Sequence, residues 1–195
     1  MLTRFFAAIT MVMVAITFIM PAQANDNNQN TLVLTLKDGD VVIKLRPDLA
    51  PKHVAQIKRL VKEGAYDDVV FHRVIDGFMA QTGDVLYGKK GSNSFDLNAA
   101  GMGASQYPNI PAEFSKVPFK RGTVGMARSV DPNSANSQFF ICYNAVPSLD
   151  GQYTVVGEVV KGMNFVDNVK KGDNSQNGKV DNPDRIIKAK IVADE

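Results

Sequence analysis

The stretch FHRVIDGFMAQTGD, from Phe71 to Asp84, decides the fold of this chain. Apolar residues predominate over 69–75 and over 78–82, which are predicted strands, and the dipeptide Asp76-Gly77 between them is a tight-turn signal. The stretch therefore predicts a β-hairpin. It also places one arginine, Arg73, beside large apolar side chains and one amide, Gln81.

A second stretch, SQFFICYNAVPSLDGQYTVVGEV, runs from Ser137 to Val159. In order, spacing and residue type, the two stretches resemble the signature segments of the cyclophilins, the peptidyl-prolyl cis-trans isomerases of the cyclosporin-binding family. The resemblance extends over nearly all of residues 31–193. It implies an enzyme that accelerates rotation about X–Pro bonds in unfolded or extended polypeptides and so assists protein folding.

The chemistry of that reaction explains why an arginine is required. Rotation destroys amide resonance and has a barrier of about 18–20 kcal/mol. No bond is made or broken, so neither a nucleophile, a metal nor another cofactor is needed. In the twisted state the prolyl nitrogen regains its lone pair, and a cationic donor stabilises that state more than the planar one. Arginine is always protonated and offers a rigid fork of donors, and the resemblance makes Arg73 the catalytic residue.

The resemblance also implies the residues that bind the substrate. Three apolar side chains from the two stretches grip the proline ring, a leucine completes the pocket, two glutamines hold the peptide backbone, and an alanine and a tyrosine lie at its edge. These residues are Phe78, Met79, Gln81, Ala127, Gln138, Phe140, Leu149 and Tyr153. Taken without the resemblance, the aromatic residues would be assigned to the core.

Two positions depart from the cyclosporin-sensitive eukaryotic members. Those members have a tryptophan before the leucine of the pocket, where this chain has Ser148, and a histidine where it has Tyr153. The missing indole removes a large apolar face and an N–H donor beside the pocket. We therefore expect proline-containing polypeptides as partners and only weak binding of cyclosporin.

The amino terminus has the pattern of a secretory signal peptide. Arg4 precedes an uncharged apolar run over 5–20, and Ala22 and Ala24 meet the small-residue requirement of the cleavage site. The run is shorter than the ~20 residues of a spanning helix. We predict a signal peptide over 1–24, a flexible leader over 25–30, an isomerase domain over 31–195, no stable membrane insertion after cleavage, and a periplasmic location.

The remaining pattern predicts the fold class. Alternating strands flank Asp38-Gly39, a helix starts at Pro51, and further strands are expected over 123–127, 138–143, 153–159 and 185–193, with a short helix over 162–171. Strands and helices do not alternate regularly, which favours an antiparallel barrel over a doubly wound fold. With the resemblance, we expect a closed eight-stranded antiparallel β-barrel capped by two α-helices. The Gly-rich segment 85–110 is expected to form a surface loop.

Composition narrows the classes of function. The net charge is only +2, which gives no electrostatic case for binding nucleic acid or an anionic membrane. Two histidines and one cysteine make no zinc constellation, and Cys142 is expected to be a buried, inert thiol. We expect a monomer without metal or cofactor. The alternative is a peptide-binding holdase chaperone on the same scaffold; a serine hydrolase would need a Gly-x-Ser-x-Gly motif that the sequence lacks.

Overall fold

The computed structural model describes residues 29–192. The signal peptide predicted over 1–24 and most of the leader predicted over 25–30 lie outside this range, as do residues 193–195. The strands are β1 (Thr31–Leu36), β2 (Gly39–Leu45), β3 (Arg73–Ile75), β4 (Met79–Thr82), β5 (Thr123–Met126), β6 (Phe139–Cys142), β7 (Val155–Lys161) and β8 (Lys188–Val192). The α-helices are α1 (Pro51–Lys62) and α2 (Met163–Asp167). Within residues 29–192, no helix is both long and apolar enough to cross a bilayer.

The eight strands form one antiparallel sheet in the order β3-β4-β6-β5-β7-β2-β1-β8. The prediction of eight antiparallel strands and two helices is confirmed, but the prediction of a closed barrel is wrong. The sheet is a curled half-barrel whose edges, β3 and β8, do not pair with each other in the described part of the chain. Only single bridges, such as Val70 with Arg185, connect residues near the two edges, so the ladder does not close.

The strands at the two edges are too short to close the sheet into a barrel. The prediction placed a strand over 69–75, but only its last three residues belong to β3; Val69 and Val70 form isolated bridges instead. The outer edge of β3 is covered by an irregular segment over 172–178. The N–H of Val74 in β3 donates to the carbonyl oxygen of Gly178, and the N–H of Gly172 donates to the carbonyl oxygen of Val74. The last strand and the second helix are likewise shorter than predicted.

The alternation of β6 divides the core into two clusters. Phe139 faces the concave side, where it packs against Tyr66 within the main core. Its neighbour Phe140 points to the opposite face and joins an outer cluster with Met79 and Leu149. Because successive side chains on a strand point to opposite faces, this single strand supplies both the fold's interior and the wall of an external pocket.

Helix α1 starts at Pro51 and buries the apolar stripe that its sequence predicts, including Val54 and Ile57. Glu113, from a distant loop, accepts hydrogen bonds from the first backbone N–H groups of the helix, at Lys52 and His53. It also contacts the His53 ring at 2.7 Å. The side chain of His53 is fully buried, so it packs within the fold rather than lying at the surface.

Candidate active site

A cavity of about 110 Å³ lies on the outer face of the sheet, and we call it the front cavity. Seven of the eight predicted binding residues and the predicted catalytic Arg73 line it. The complete lining is Arg73, Phe78, Met79, Gln81, Ala127, Arg128, Phe140, Leu149 and Tyr153. Residues from three strands and three connecting segments therefore meet at one place, although they are separated by as much as eighty positions in the sequence.

Aromatic packing holds the walls of the front cavity rigid. Phe140 stacks on Phe119, with ring centroids 5.8 Å apart, and meets the edge of Tyr153 at the same distance. Met79 is 1% exposed and Leu149 is 9% exposed, so both are held in place by their neighbours. The result is a small apolar pocket that suits a compact ring rather than an extended side chain.

The guanidinium of Arg73 is fixed at the rim by three hydrogen bonds. Nε donates to the backbone oxygen of Asn177 at 3.0 Å, and Nη2 donates to the Asn177 side-chain oxygen at 2.9 Å. Nη1 donates to Oε1 of Gln81 at 3.2 Å and lies 3.9 Å from the sulfur of Met79. Burial lowers the pKa of Arg73 from its usual value, but an arginine remains charged at neutral pH.

A chain of hydrogen bonds runs from Arg73 to a buried carboxylate. Gln81 donates to Gln138 at 3.0 Å, and Gln138 donates to the carbonyl oxygens of Gly101 and Gly103. The N–H groups of these same two glycines donate to Asp84 at 2.7 and 2.8 Å. We call this chain the Arg73–Asp84 network; it ties the position of the guanidinium to the loop that follows β4.

Gln138 is the one predicted binding residue that does not line the front cavity. It lines a neighbouring cavity of about 390 Å³, the side cavity, which shares Gln81, Ala127 and Arg128 with the front cavity. Its amide is already engaged with Gln81 and the two glycines. The geometry thus places Gln138 behind Gln81, as part of the Arg73–Asp84 network.

Comparisons with known proteins point to one family. The model of the family described as cyclophilin type peptidyl-prolyl cis-trans isomerase/CLD matches residues 31–191. A protein from Brucella suis named probable peptidyl-prolyl cis-trans isomerase is 62% identical over 188 residues, which cover 96% of this chain and 95% of that protein.

This chain belongs to the cyclophilin-type peptidyl-prolyl cis-trans isomerase family.

Solved structures agree with that assignment. A cyclophilin from Hirschia baltica matches with a TM-score of 0.70 and 26% identity, covering 85% of this chain and 74% of its own. A cyclophilin-type isomerase from Cryptosporidium parvum, crystallised in the presence of the dipeptide Ala-Pro, also matches with a TM-score of 0.70, at 25% identity, covering 84% and 99%. The family and the isomerase activity predicted from the two stretches are thereby confirmed.

Sequence reasoning missed two residues at the front cavity and its rim. Arg128 follows Ala127 and places its guanidinium carbon 4.4 Å from the centroid of the Tyr153 ring. Asn177 holds Arg73 from 104 positions away. The Asn177-Gly178 dipeptide is a turn signal that could have marked the segment, and both residues do adopt positive φ, 54° and 77°. No sequence pattern indicates that this turn reaches Arg73.

Two titratable groups near the site have no part in proton transfer. Cys142 is buried, as predicted, and burial raises the pKa of its thiol to about 12, which disfavours the reactive thiolate. His72 alternates with Arg73 along the chain, and its side chain is 94% buried. Burial lowers the pKa of His72 to about 4, so the ring is neutral at physiological pH.

We expect isomerase activity to be nearly constant between about pH 6 and 8, because arginine does not titrate there and His72 is already neutral. Stability should behave differently. Between the unfolded value of about 6.5 and the folded value of about 4, the unfolded chain binds more protons at His72, so the free energy of unfolding falls with acidification. Isomerase assays across pH 6–8 measure the activity, and denaturant titrations from pH 4 to 7 measure the free energy of unfolding. A sigmoidal change in activity centred near pH 6.5 would contradict the assignment of His72.

Proposed function

We propose that this isomerase acts on X–Pro bonds of unfolded or extended polypeptides. Arg73 is the catalytic residue, and the front cavity binds the proline ring. The observation that carries the proposal is the position of the Arg73 guanidinium, which is clamped at the rim of a small, rigid apolar cavity. A fixed cation beside a pocket for an uncharged ring is the arrangement that prolyl isomerisation requires.

The donors of Arg73 are arranged for this task. Nη1 lies between Gln81 and the sulfur of Met79, which lines the front cavity, so its second N–H is held only by a weak sulfur contact. A prolyl nitrogen that regains its lone pair is a better acceptor than thioether sulfur. The hydrogen bond strengthens as the amide twists, which makes it selective for the transition state.

The apolar wall supplies the other half of the mechanism. Phe140, Met79 and Leu149 immobilise the ring while the peptide on the other side of the bond turns. Holding one end of the bond in a fixed orientation removes much of the entropy cost of reaching the twisted geometry. The presence of Ala-Pro with the Cryptosporidium relative supports a proline-containing ligand for this chain as well.

Exchange spectroscopy tests the proposal directly. The rates of interconversion between the cis and trans forms of an X–Pro peptide are measured by NMR with and without catalytic amounts of the protein. We expect the exchange to accelerate with protein concentration and to persist in the presence of a metal chelator. Unchanged exchange rates, or abolition by the chelator, would contradict the proposed mechanism.

We further propose that the protein is exported and works as a monomer in the periplasm. The sequence of residues 1–24 supports this proposal, with its basic start, apolar run and small residues before the cleavage position. We expect protein made in its host to begin at Asn25 and to appear in the periplasmic fraction. Mass spectrometry of the fractionated protein measures this, and membrane-bound protein that retains Met1 would contradict it.

Cyclosporin should bind this isomerase much more weakly than a member with tryptophan at the position of Ser148. Ser148 is exposed and directly precedes Leu149, which lines the front cavity. An indole here would add apolar contact at roughly 25 cal/mol per Å², which favours a bulky ligand over a short peptide. We expect Ser148→Trp to tighten cyclosporin binding about tenfold or more, with little change in peptide isomerisation. Titration of both proteins is the measurement, and equal affinities would contradict it.

A further inference from the structure

A third cavity, of about 270 Å³, adjoins Arg73, and we call it the rear cavity. It shares Arg73 and Gln81 with the front cavity. Its remaining lining comes from the loop after β4 and from the segment around Asn177, namely His72, Leu97, Asn98, Ala100, Gly101, Gln176, Asn177 and Lys179. The isomerase activity described above assigns no role to this cavity.

The charges that line the rear cavity are all positive. Arg73 and Lys179 are its two ionised side chains, and no carboxylate is among the lining residues. Lys179 reaches across the cavity to the side-chain oxygen of Asn98 at 3.0 Å. Two acids of the adjoining segments are not among the lining residues: Asp84 accepts four backbone N–H groups, and Asp173 accepts from Ser175 and Gln176. The cavity therefore favours an anion.

His72 packs against the wall of the rear cavity. It is among the lining residues, but both of its ring nitrogens are inaccessible to solvent. The ring therefore offers no donor to a ligand in the cavity. Its resonances can still report on a charge that binds beside it.

The donors of Arg73 are only partly used by its neighbours. A guanidinium has five N–H donors. One on Nε and one on Nη2 are held by Asn177, and one on Nη1 is held by Gln81. One N–H on Nη1, next to Met79 of the front cavity, and one N–H on Nη2 therefore remain without an oxygen acceptor within the described residues.

We propose that the rear cavity is an anion site, which binds a carboxylate or phosphate group through Lys179 and the guanidinium of Arg73. The effect of the site on catalysis rests on the proposed function of Arg73, whereas binding itself does not. An anion bound there shares the guanidinium with the prolyl nitrogen and partly neutralises its charge. Occupancy by a free anion should thus slow isomerisation, while a carboxylate carried by the substrate should anchor the polypeptide across Arg73.

Inorganic phosphate is the first probe, and the two histidines report on its binding. The sequence contains only His53 and His72. His53 is paired with Glu113 and serves as an internal control. We expect phosphate, compared with chloride at equal ionic strength, to shift the ring resonances of His72 saturably and to leave those of His53 in place. Because this readout needs no catalysis, it stands even if the role of Arg73 fails.

Two variants and a peptide series complete the test. Lys179→Gln removes the charge of Lys179 and should weaken phosphate binding about tenfold. The control variant Lys190→Gln, on the far edge of the sheet, should bind phosphate like the wild type.

Isomerase rates are then compared for proline peptides with glutamate or glutamine at successive positions beside the proline. A glutamate preference that disappears in Lys179→Gln identifies a substrate carboxylate, and saturable inhibition by phosphate without that preference identifies a free anion. His72 resonances that follow ionic strength alone, or an unchanged affinity in Lys179→Gln, would overturn the proposal.

Discussion

Replacement of Arg73 by alanine is expected to lower kcat/KM for X–Pro isomerisation by about 100-fold, while the fold and the affinity for proline peptides are largely retained. The loss corresponds to a charge-assisted hydrogen bond of about 2–3 kcal/mol that exists only in the twisted state. The apolar wall of the front cavity binds the planar peptide too, so the Michaelis constant should change little. NMR exchange at several peptide concentrations separates the two quantities.

Two comparisons make this result specific to the guanidinium. Arg73→Lys should restore little activity, because an ammonium cannot keep the contacts with Asn177 and Gln81 and still reach the substrate. Arg185→Ala, which removes a surface arginine paired with Asp68, should retain full activity. Wild-type activity in Arg73→Ala would remove Arg73 from the mechanism. An inactive variant that still suppresses aggregation of unfolded proteins would favour the holdase alternative.

Replacement of Asp84 by alanine is expected to lower the free energy of unfolding by about 3–5 kcal/mol and to reduce isomerase activity as well. Asp84 is fully buried, and its carboxylate accepts from the backbone N–H groups of Leu86, Tyr87, Gly101 and Gly103. The alanine variant leaves these donors without a charged acceptor. Because Gln138 is anchored on the same two glycines, the loss propagates through the Arg73–Asp84 network to the guanidinium.

Asp96→Ala is the matched control in the same loop. Asp96 is exposed, and its side chain accepts from the backbone of Asn98, so its loss should cost under about 1 kcal/mol. Denaturant titration gives the free energies, and hydrogen exchange at the amides of Leu86, Tyr87, Gly101 and Gly103 shows whether the loop opens. Equal stability of the two variants would show that the network does not depend on the buried carboxylate.

Most residues of the front cavity could be predicted through the family resemblance, because they lie in the two local stretches that carry it. A turn at Asp76-Gly77 sets Arg73 opposite Gln81 in the β3–β4 register, and the β4–β6 register then sets Gln81 opposite Phe140. Strand pairing of this kind follows from alternation and turn chemistry. The family resemblance supplied the functional meaning of residues that would otherwise have been assigned to the core.

The interactions that hold Arg73 and the loop after β4 in place could not be predicted in the same way. The clamp from Asn177 and the carboxylate of Asp84 depend on where irregular segments pack, and no periodicity constrains that packing. The prediction of a closed barrel was wrong for a related reason. It would require a continuous ladder between β3 and β8, whereas the chain near these edges forms only isolated bridges.

The open sheet has a consequence for an enzyme that handles unfolded chains. An exposed strand edge is a template for pairing with any extended polypeptide, and it promotes aggregation. Here β3 has three residues and is covered by the segment around Gly178, while β8 carries exposed lysines at positions 188 and 190. Both edges therefore resist the addition of a foreign strand. A client chain can be held by its proline and released again without being incorporated into the sheet of the enzyme.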